Sequence, residues 1–492
     1  MAKPGRTVLA VITAESLVRL AMAVALGLGI DESYMVVAGR TWQLGYFDHP
    51  PIAWWLSHGA ASVAGSEAAW VVRLPFITLF AVSTWLMYRL GAALFGPRAG
   101  VWAAVTLNLS PVFGVTSGGW VLPDGPLDLC LLAAALSLVR ALPDQGRAWR
   151  WWLAAGAAAG GALLSKYSAA LTLVGALAYL LTQPAHRRWL TRPQPYAAAL
   201  VAVLLFAPVL VWNARHGWAS FAFQGGRAAA EHWYPAGPLR VLGGEALFVL
   251  PWLWLPMMVA FIRALRVGPG RWQGWLLCCL GAGPVLLFTV VGLWSKHVLY
   301  HWAAPGYLML FPLLGVELER LQMRWPRIVR GTLMGTAALL VAALAVVDTD
   351  LQWNWLPLPA TRADDPALQA LGWRGLRAAL ADRGLLDRPN TVFAAAGWQE
   401  AGKLGDELGP GTPVVCLNQD AREFTLAGNQ DLRDGTDALV ISTRPVTRDG
   451  LQGQGFTFDS VEQLPPLALP VAARPPQTLK LFIGHRLHRT SG

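Results

Sequence analysis

The sequence predicts an all-α polytopic membrane domain of about 11 transmembrane helices, followed by a small C-terminal extracytoplasmic α/β domain. Three observations predict it. Of 492 residues, 55% are hydrophobic and only 14% are charged, whereas a soluble globular chain carries about a quarter charged residues. The apolar residues come in long blocks, many approaching the roughly 20 residues needed to cross a hydrocarbon core. The chain also carries 25 tryptophans, many at block edges, where the amphipathic indole favours the membrane interface.

The apolar blocks fall near 8–29, 68–88, 99–118, 126–142, 151–165, 167–182, 196–213, 241–262, 272–294, 302–316 and 328–347. Lys166 interrupts the region 151–182, which makes its division into spans the least distinct. The first apolar run has a basic start, like a secretion signal. Asp31 and Glu32 follow it where a small-residue cleavage site is expected, so it reads as a retained span. Loops alternate in charge. Lys3 and Arg6, Arg89 and Arg98, Arg140, Arg147 and Arg150, Arg187, Arg188 and Arg192, Arg263, Arg266 and Arg271, and Arg320, Arg324, Arg327 and Arg330 occupy one set. Asp31, Glu32, Asp48, Asp124, Glu231 and Lys296, with a few arginines, occupy the other. The positive-inside rule places the first set and the N-terminus in the cytoplasm, the second set and the C-terminus on the far side. The net charge of +10 is distributed over these loops and needs no nucleic-acid partner.

Composition changes after residue 347, dividing a membrane domain, 1–347, from a soluble domain, 348–492. In the latter, short apolar runs at 391–396, 413–417, 438–442 and 479–483 read as strands, and 398–408 reads as a helix, a small α/β pattern. Cys416 is the only cysteine there, so no disulfide framework is expected. No phosphate-binding glycine loop has the necessary strand and helix context, and no internal repeat of the kind that builds many transporters is evident.

Three groups of residues can carry chemistry. The first far-side loop reads Asp31-Glu32-Ser33-Tyr34, then Gly45-Tyr46-Phe47-Asp48-His49-Pro50-Pro51. A carboxylate at a membrane boundary can act as general base on a hydroxyl; equally, Asp31 and Glu32 can cap a short interfacial helix. The second group is Pro123-Asp124-Gly125-Pro126, where Asp124 can be a helix N-cap, with Asp128 one turn deeper. The third is a set of far-side cations: Lys166, Arg215, Arg227 and Lys296, with His297 beside the last. A lipid phosphate at the interface needs such partners, although each cation alone also fits snorkelling to headgroups. No Cys/His cluster has zinc spacing.

Taken together, Asp31-Glu32-Ser33-Tyr34, the Gly45–Pro51 run, Arg73-Leu74-Pro75 and Pro123-Asp124-Gly125-Pro126-Leu127 resemble the bacterial protein-mannosyltransferase-like family. This is glycosyltransferase family 39, with its relative, the aminoarabinose transferase of lipid A. Leu164-Ser165-Lys166-Tyr167, the stretch 212–218 and the stretch 296–307 are similar to it too. The resemblance covers roughly residues 1–345. It implies a C-type glycosyltransferase fold and an inverting transfer of a sugar from a polyprenyl-phosphate donor to a lipid, glycan or protein hydroxyl on the periplasmic side of the inner membrane. Carried over, the catalytic acids match Asp31 and Asp124. Lys166, Arg227, Lys296 and His49 are the implied donor-phosphate contacts, His49 standing where the aminoarabinose transferases have a lysine. Glu32, Asp48, Tyr46 and His297 are supporting residues. Asp48 is the implied ligand of a divalent ion, and Gln224 falls near the position of those relatives' metal-binding histidine. A transporter or flippase of a lipid-linked sugar is the alternative reading, and a non-catalytic scaffold for the C-terminal domain is a third.

Overall fold

The computed structural model describes residues 4–143, 146–227, 229, 231–356, 371–427, 432–452 and 455–489. Each apolar block named above is largely helical. Among the described residues, five helices are long and apolar enough to cross a membrane: Pro4–Ala25, Ala69–Phe95, Pro193–Arg215, Trp272–Val291 and Pro326–Trp353. Others, such as Asp124–Ala141 and Ala304–Arg324, carry more charge. The chain is a multi-pass membrane protein with a C-terminal five-stranded mixed sheet.

One block departs from a straight span, and the region 151–182 divides at Lys166 as its two blocks suggest. The block 241–262 is a bent pair, Gly237–Val249 and Pro251–Gly270, turning by 113°. Pro251 starts the second helix with no N–H to continue the first, and Leu250 joins them at φ 82°. The region 151–182 is two helices, Ala148–Ser165 and Ala169–Thr182, because Lys166 leaves the helical region at φ −157°, ψ 136°.

The chain forms two compact units. The first comprises Met1–Met22, Gln43–Ala53 and Arg73–Leu340. Its helices approach closely where glycine removes the side chain, a common device in membranes. A Cβ on Gly156 would meet the Ala198 backbone, and one on Gly175 the Cys279 carbonyl. Arg19 is buried on the first helix, its Nε donating to the Gly114 carbonyl at 2.8 Å and Nη2 to Asn108 Oδ1 at 3.0 Å. Gly114 lies in a π-helical stretch, Val112–Ser117, a widening often found at functional sites.

The second unit comprises Ala23–Trp42, Trp54–Val72 and Val341–Gly492. Its strands are β1 (Thr391–Ala395), β2 (Val414–Cys416), β3 (Asp437–Ser442), β4 (Phe456–Val471) and β5 (Arg474–Arg489), in the order β2-β1-β3-β5-β4. The first three are parallel; β5 runs antiparallel to β3 and to β4. The strands expected at 391–396, 413–417 and 438–442 and the helix Trp398–Leu408 are present. The run 479–483 is the middle of β5, a strand of 16 residues. Its partner β4 was not legible because Pro465, Pro466 and Pro470 interrupt the apolar pattern. It is an outer strand of the sheet, where missing N–H donors are tolerated.

In the same unit the short helix Ile30–Ala38 packs against Trp398–Leu408. Gly402 makes this possible, since a Cβ there would lie 2.7 Å from the Tyr34 nitrogen. The Tyr34 ring meets Trp54 at 5.4 Å and Trp398 at 5.0 Å, both edge-on, and its hydroxyl accepts the Glu423 N–H.

Candidate active site

The first unit gathers a charged cluster around Asp124. Pro123 and Pro126 fix the entry to the helix Asp124–Ala141, so Asp124 stands on its first turn, where the helix dipole favours a carboxylate. Lys166, at the helix break, donates from Nζ to Asp124 Oδ1 at 2.9 Å. Both side chains are largely buried, 12% and 10% exposed. His301 and His49 are close enough to interact electrostatically with Asp124. His301 lies on the 3-10 turn Tyr300–Ala303 and also feels Lys166 and Arg227. Arg227 stacks over Trp302 at 4.6 Å and Phe223 at 5.7 Å, which aims a guanidinium while shielding its flat face.

Burial first, and then the Lys166 and Arg227 cations, push the His301 imidazole down to about 4. At neutral pH it is an uncharged ring, able to hydrogen-bond to an anion without adding charge to the cluster. Asp128, one helical turn below Asp124 and 2% exposed, bonds to Ser117; its Oδ2 has no hydrogen-bond partner among the described residues.

The loop 46–49 is docked against the helix Ala219–Gly226. Phe47 meets Phe223 at 5.2 Å, and the Gln224 amide donates to the Asp48 carbonyl. Asp48 is buried, and the Tyr46 hydroxyl accepts from the Gln43 N–H at 3.4 Å. Gln224, near the position of the relatives' metal-binding histidine, thus adjoins Asp48 with an amide. Among the described residues no group of three or more His, Cys, Asp or Glu could hold a metal ion.

Lys296 and His297 have other partners. Lys296 Nζ stands 4.8 Å from the Tyr234 ring centre, and the Lys296 carbonyl accepts from Arg240. His297 is 3.5 Å from Glu231, which also accepts from the Ser295 hydroxyl. The structure therefore joins Asp124, Lys166, His49 and Arg227, adds His301, and gives Lys296 and His297 to a second polar group. His301 was overlooked in the sequence because a single histidine at the edge of an apolar block is unremarkable. Its neighbour Trp302, the ring beneath Arg227, was the available signal.

Asp31 and Glu32 belong to the second unit. Glu32 is a capping residue: its Oε2 accepts the Gly29 N–H at 2.9 Å. Asp31, on the same first turn, is exposed.

A family profile described as dolichyl-phosphate-mannose-protein mannosyltransferase matches residues 48–212, a segment that includes Asp48, His49, Asp124 and Lys166. The chain is 26% identical over 318 residues to the lipid A galacturonosyltransferase RgtD of Rhizobium johnstonii, covering 63% of this chain and 64% of that protein. The alignment thus spans a little under two thirds of the relative's length. Two crystal structures of ArnT from Cupriavidus metallidurans share the fold. The apo form aligns with a TM-score of 0.63 at 17% identity, covering 97% of each chain. The form bound to undecaprenyl phosphate aligns with a TM-score of 0.64 at 16% identity, covering 97% of this chain and 98% of that one. The chain therefore has an ArnT-like C-type glycosyltransferase fold, and over residues 48–212 it matches the profile of the dolichyl-phosphate-mannose-protein mannosyltransferases.

Proposed function

We propose that the chain moves a sugar from a polyprenyl-phosphate donor to an envelope acceptor, lipid A foremost, with inversion at the anomeric carbon and on the periplasmic side. The observation that carries this reading is the Asp124–Lys166 pair with Arg227, His301 and His49 around it. Lysine and arginine together supply the charged N–H donors that a phosphate group takes up. Its place at the ends of apolar helices suits a ligand whose tail stays in lipid. The relative RgtD acts on lipid A by name, and ArnT has been crystallised with undecaprenyl phosphate. Both favour this donor and acceptor class.

Lys166 and Arg227 bind the donor phosphate and stabilise the charge that grows on it as it leaves. Asp124 holds Lys166 in place. His301 and His49 supply hydrogen bonds. The acceptor hydroxyl oxygen forms a bond to the anomeric carbon as the bond from that carbon to the phosphate oxygen breaks. The polyprenyl phosphate leaves with the electron pair and needs no general acid. Asp31, assigned on its sequence position and exposure, takes the acceptor proton. The C-terminal residues 348–492 form the exported domain in this reading, and the loop charges favour a cytoplasmic N-terminus.

The test is a panel of polyprenyl-phosphate sugars supplied with lipid A to the purified protein in lipid nanodiscs. Mass spectrometry is expected to show one donor consumed and its sugar on the acceptor, with the opposite anomeric configuration by NMR. Unchanged donors throughout, or a retained configuration, would contradict the proposal.

A further inference from the structure

The second unit carries a crevice that the phosphate-binding cluster does not use. It lies at the C-terminal ends of β1, β2 and β3 and has a volume of about 560 Å³, within the roughly 300–1,000 Å³ typical of small-ligand sites. Its position follows from topology. The chain leaves β1 for β2 on one side and returns to β3 on the other. The loops after β1 and β3 therefore diverge, which opens a crevice at such switch points in α/β sheets.

The crevice has a built rim. Glu400 Oε1 accepts both the Thr443 N–H at 2.8 Å and the Thr443 hydroxyl at 2.6 Å, tying the helix Trp398–Leu408 to the end of β3. Asn418 donates to the Ala396 carbonyl at 2.9 Å and accepts the Asp420 N–H at 2.8 Å, tying the ends of β1 and β2. These bonds hold the loops apart without filling the space between them. A Cβ on Gly397, at φ −154°, meets nothing within 4 Å. The walls combine Trp373 and Ile30 with Asp420, Gln477 and the exposed Arg444. Apolar faces beside carboxylate, amide and guanidinium groups match a saccharide, whose rings present C–H faces and hydroxyls together.

Ile30 is the second consideration. It lines the crevice and directly precedes Asp31 on the helix Ile30–Ala38. The segment leading to it is fixed to the same helix that forms the rim, since Lys403 Nζ donates to the Leu28 carbonyl at 3.1 Å. The crevice and Asp31 thus belong to one compact unit.

We propose that this crevice is the acceptor subsite, binding a saccharide portion of the acceptor so that a hydroxyl is presented to Asp31. This rests on the transfer reaction proposed above and assigns to the C-terminal unit a role in acceptor recognition.

The test uses the full chain in nanodiscs and four variants. Gly397→Leu fills the crevice; Gln477→Ala and Arg444→Ala remove polar contacts that hold no described part of the fold. Gly411→Leu is the control, since a Cβ there also meets open space but lies outside the crevice. Three quantities are read: KM for acceptor, KM for donor, and saturation-transfer NMR binding of a deacylated glucosamine disaccharide phosphate. Gly397→Leu is expected to raise the acceptor KM at least tenfold with donor KM unchanged, and to abolish disaccharide binding. The two alanine variants are expected to weaken both severalfold, which carries the test should Gly397→Leu fail to fold. Transfer by the wild type with all crevice variants matching Gly411→Leu would overturn the subsite and leave the reaction standing. Disaccharide binding lost in Gly397→Leu, with no transfer by the wild type, would support the crevice as a saccharide site and overturn the reaction.

Discussion

Lys166 and Asp124 form a 2.9 Å ion pair between a helix break and a helix start, with both side chains nearly excluded from solvent. This pairing explains why a lysine stands in the middle of an apolar region. Removing one partner of a buried pair leaves an uncompensated charge, costing about 3–5 kcal/mol. Lys166→Met and Asp124→Asn are each expected to lower the thermal unfolding temperature in detergent. The double variant should lose less than the sum of the two while remaining inactive. Additive losses would show that the pair is not coupled.

His301 predicts a pH effect. Its folded value, about 4, lies below the unfolded value of about 6.5. Above pH 6.5 both states are neutral there and His301 has no effect on the pH dependence of stability. As pH falls below 6.5 the unfolded state takes up the proton first, so stability falls, by up to about 1.4 kcal/mol per pH unit, until the folded group titrates near 4. His301→Gln should therefore narrow the drop in melting temperature between pH 7 and pH 5. An identical drop in wild type and variant would contradict a buried neutral imidazole.

Glu32 and Asp31 are neighbours with different expected fates. Glu32→Gln weakens a capping interaction worth about 1 kcal/mol. It should lower the melting temperature by a few degrees with near-normal transfer. A loss of transfer without a loss of stability would move the catalytic role from Asp31 to Glu32.

The helix crossings give a packing prediction. A side chain on Gly175 would meet the Cys279 carbonyl, and backbone cannot yield as a flexible side chain can. Gly175→Leu should greatly reduce the yield of monodisperse protein in size-exclusion chromatography. Unchanged yield would contradict this close approach of Ala169–Thr182 to Trp272–Val291.

Much of this architecture was legible in the sequence because hydropathy is a local property. The apolar blocks became helices, and the short apolar runs of the C-terminal part became the parallel strands. What was not legible depends on distant partners. The turn of 113° at Leu250–Pro251 lies inside a continuous apolar block, which hydropathy reads as one span. Strand β4 is masked by its prolines. Lys166, Arg227 and Asp124 stood out as charges against apolar surroundings, whereas His301 gains its significance only from Lys166 and Arg227, which approach from other parts of the chain. The packing of residues 23–42 and 54–72 with 341–492 is long-range and has no local signature.

The most direct test is a single-turnover comparison of wild type and Asp31→Asn in nanodiscs, with the consumed polyprenyl-phosphate sugar and its acceptor. General base catalysis contributes about 10²–10⁴-fold, and Asp31 is exposed on its helix. The account predicts a rate loss of at least about 100-fold with unchanged donor binding and melting temperature. Transfer by Asp31→Asn at the wild-type rate would contradict it.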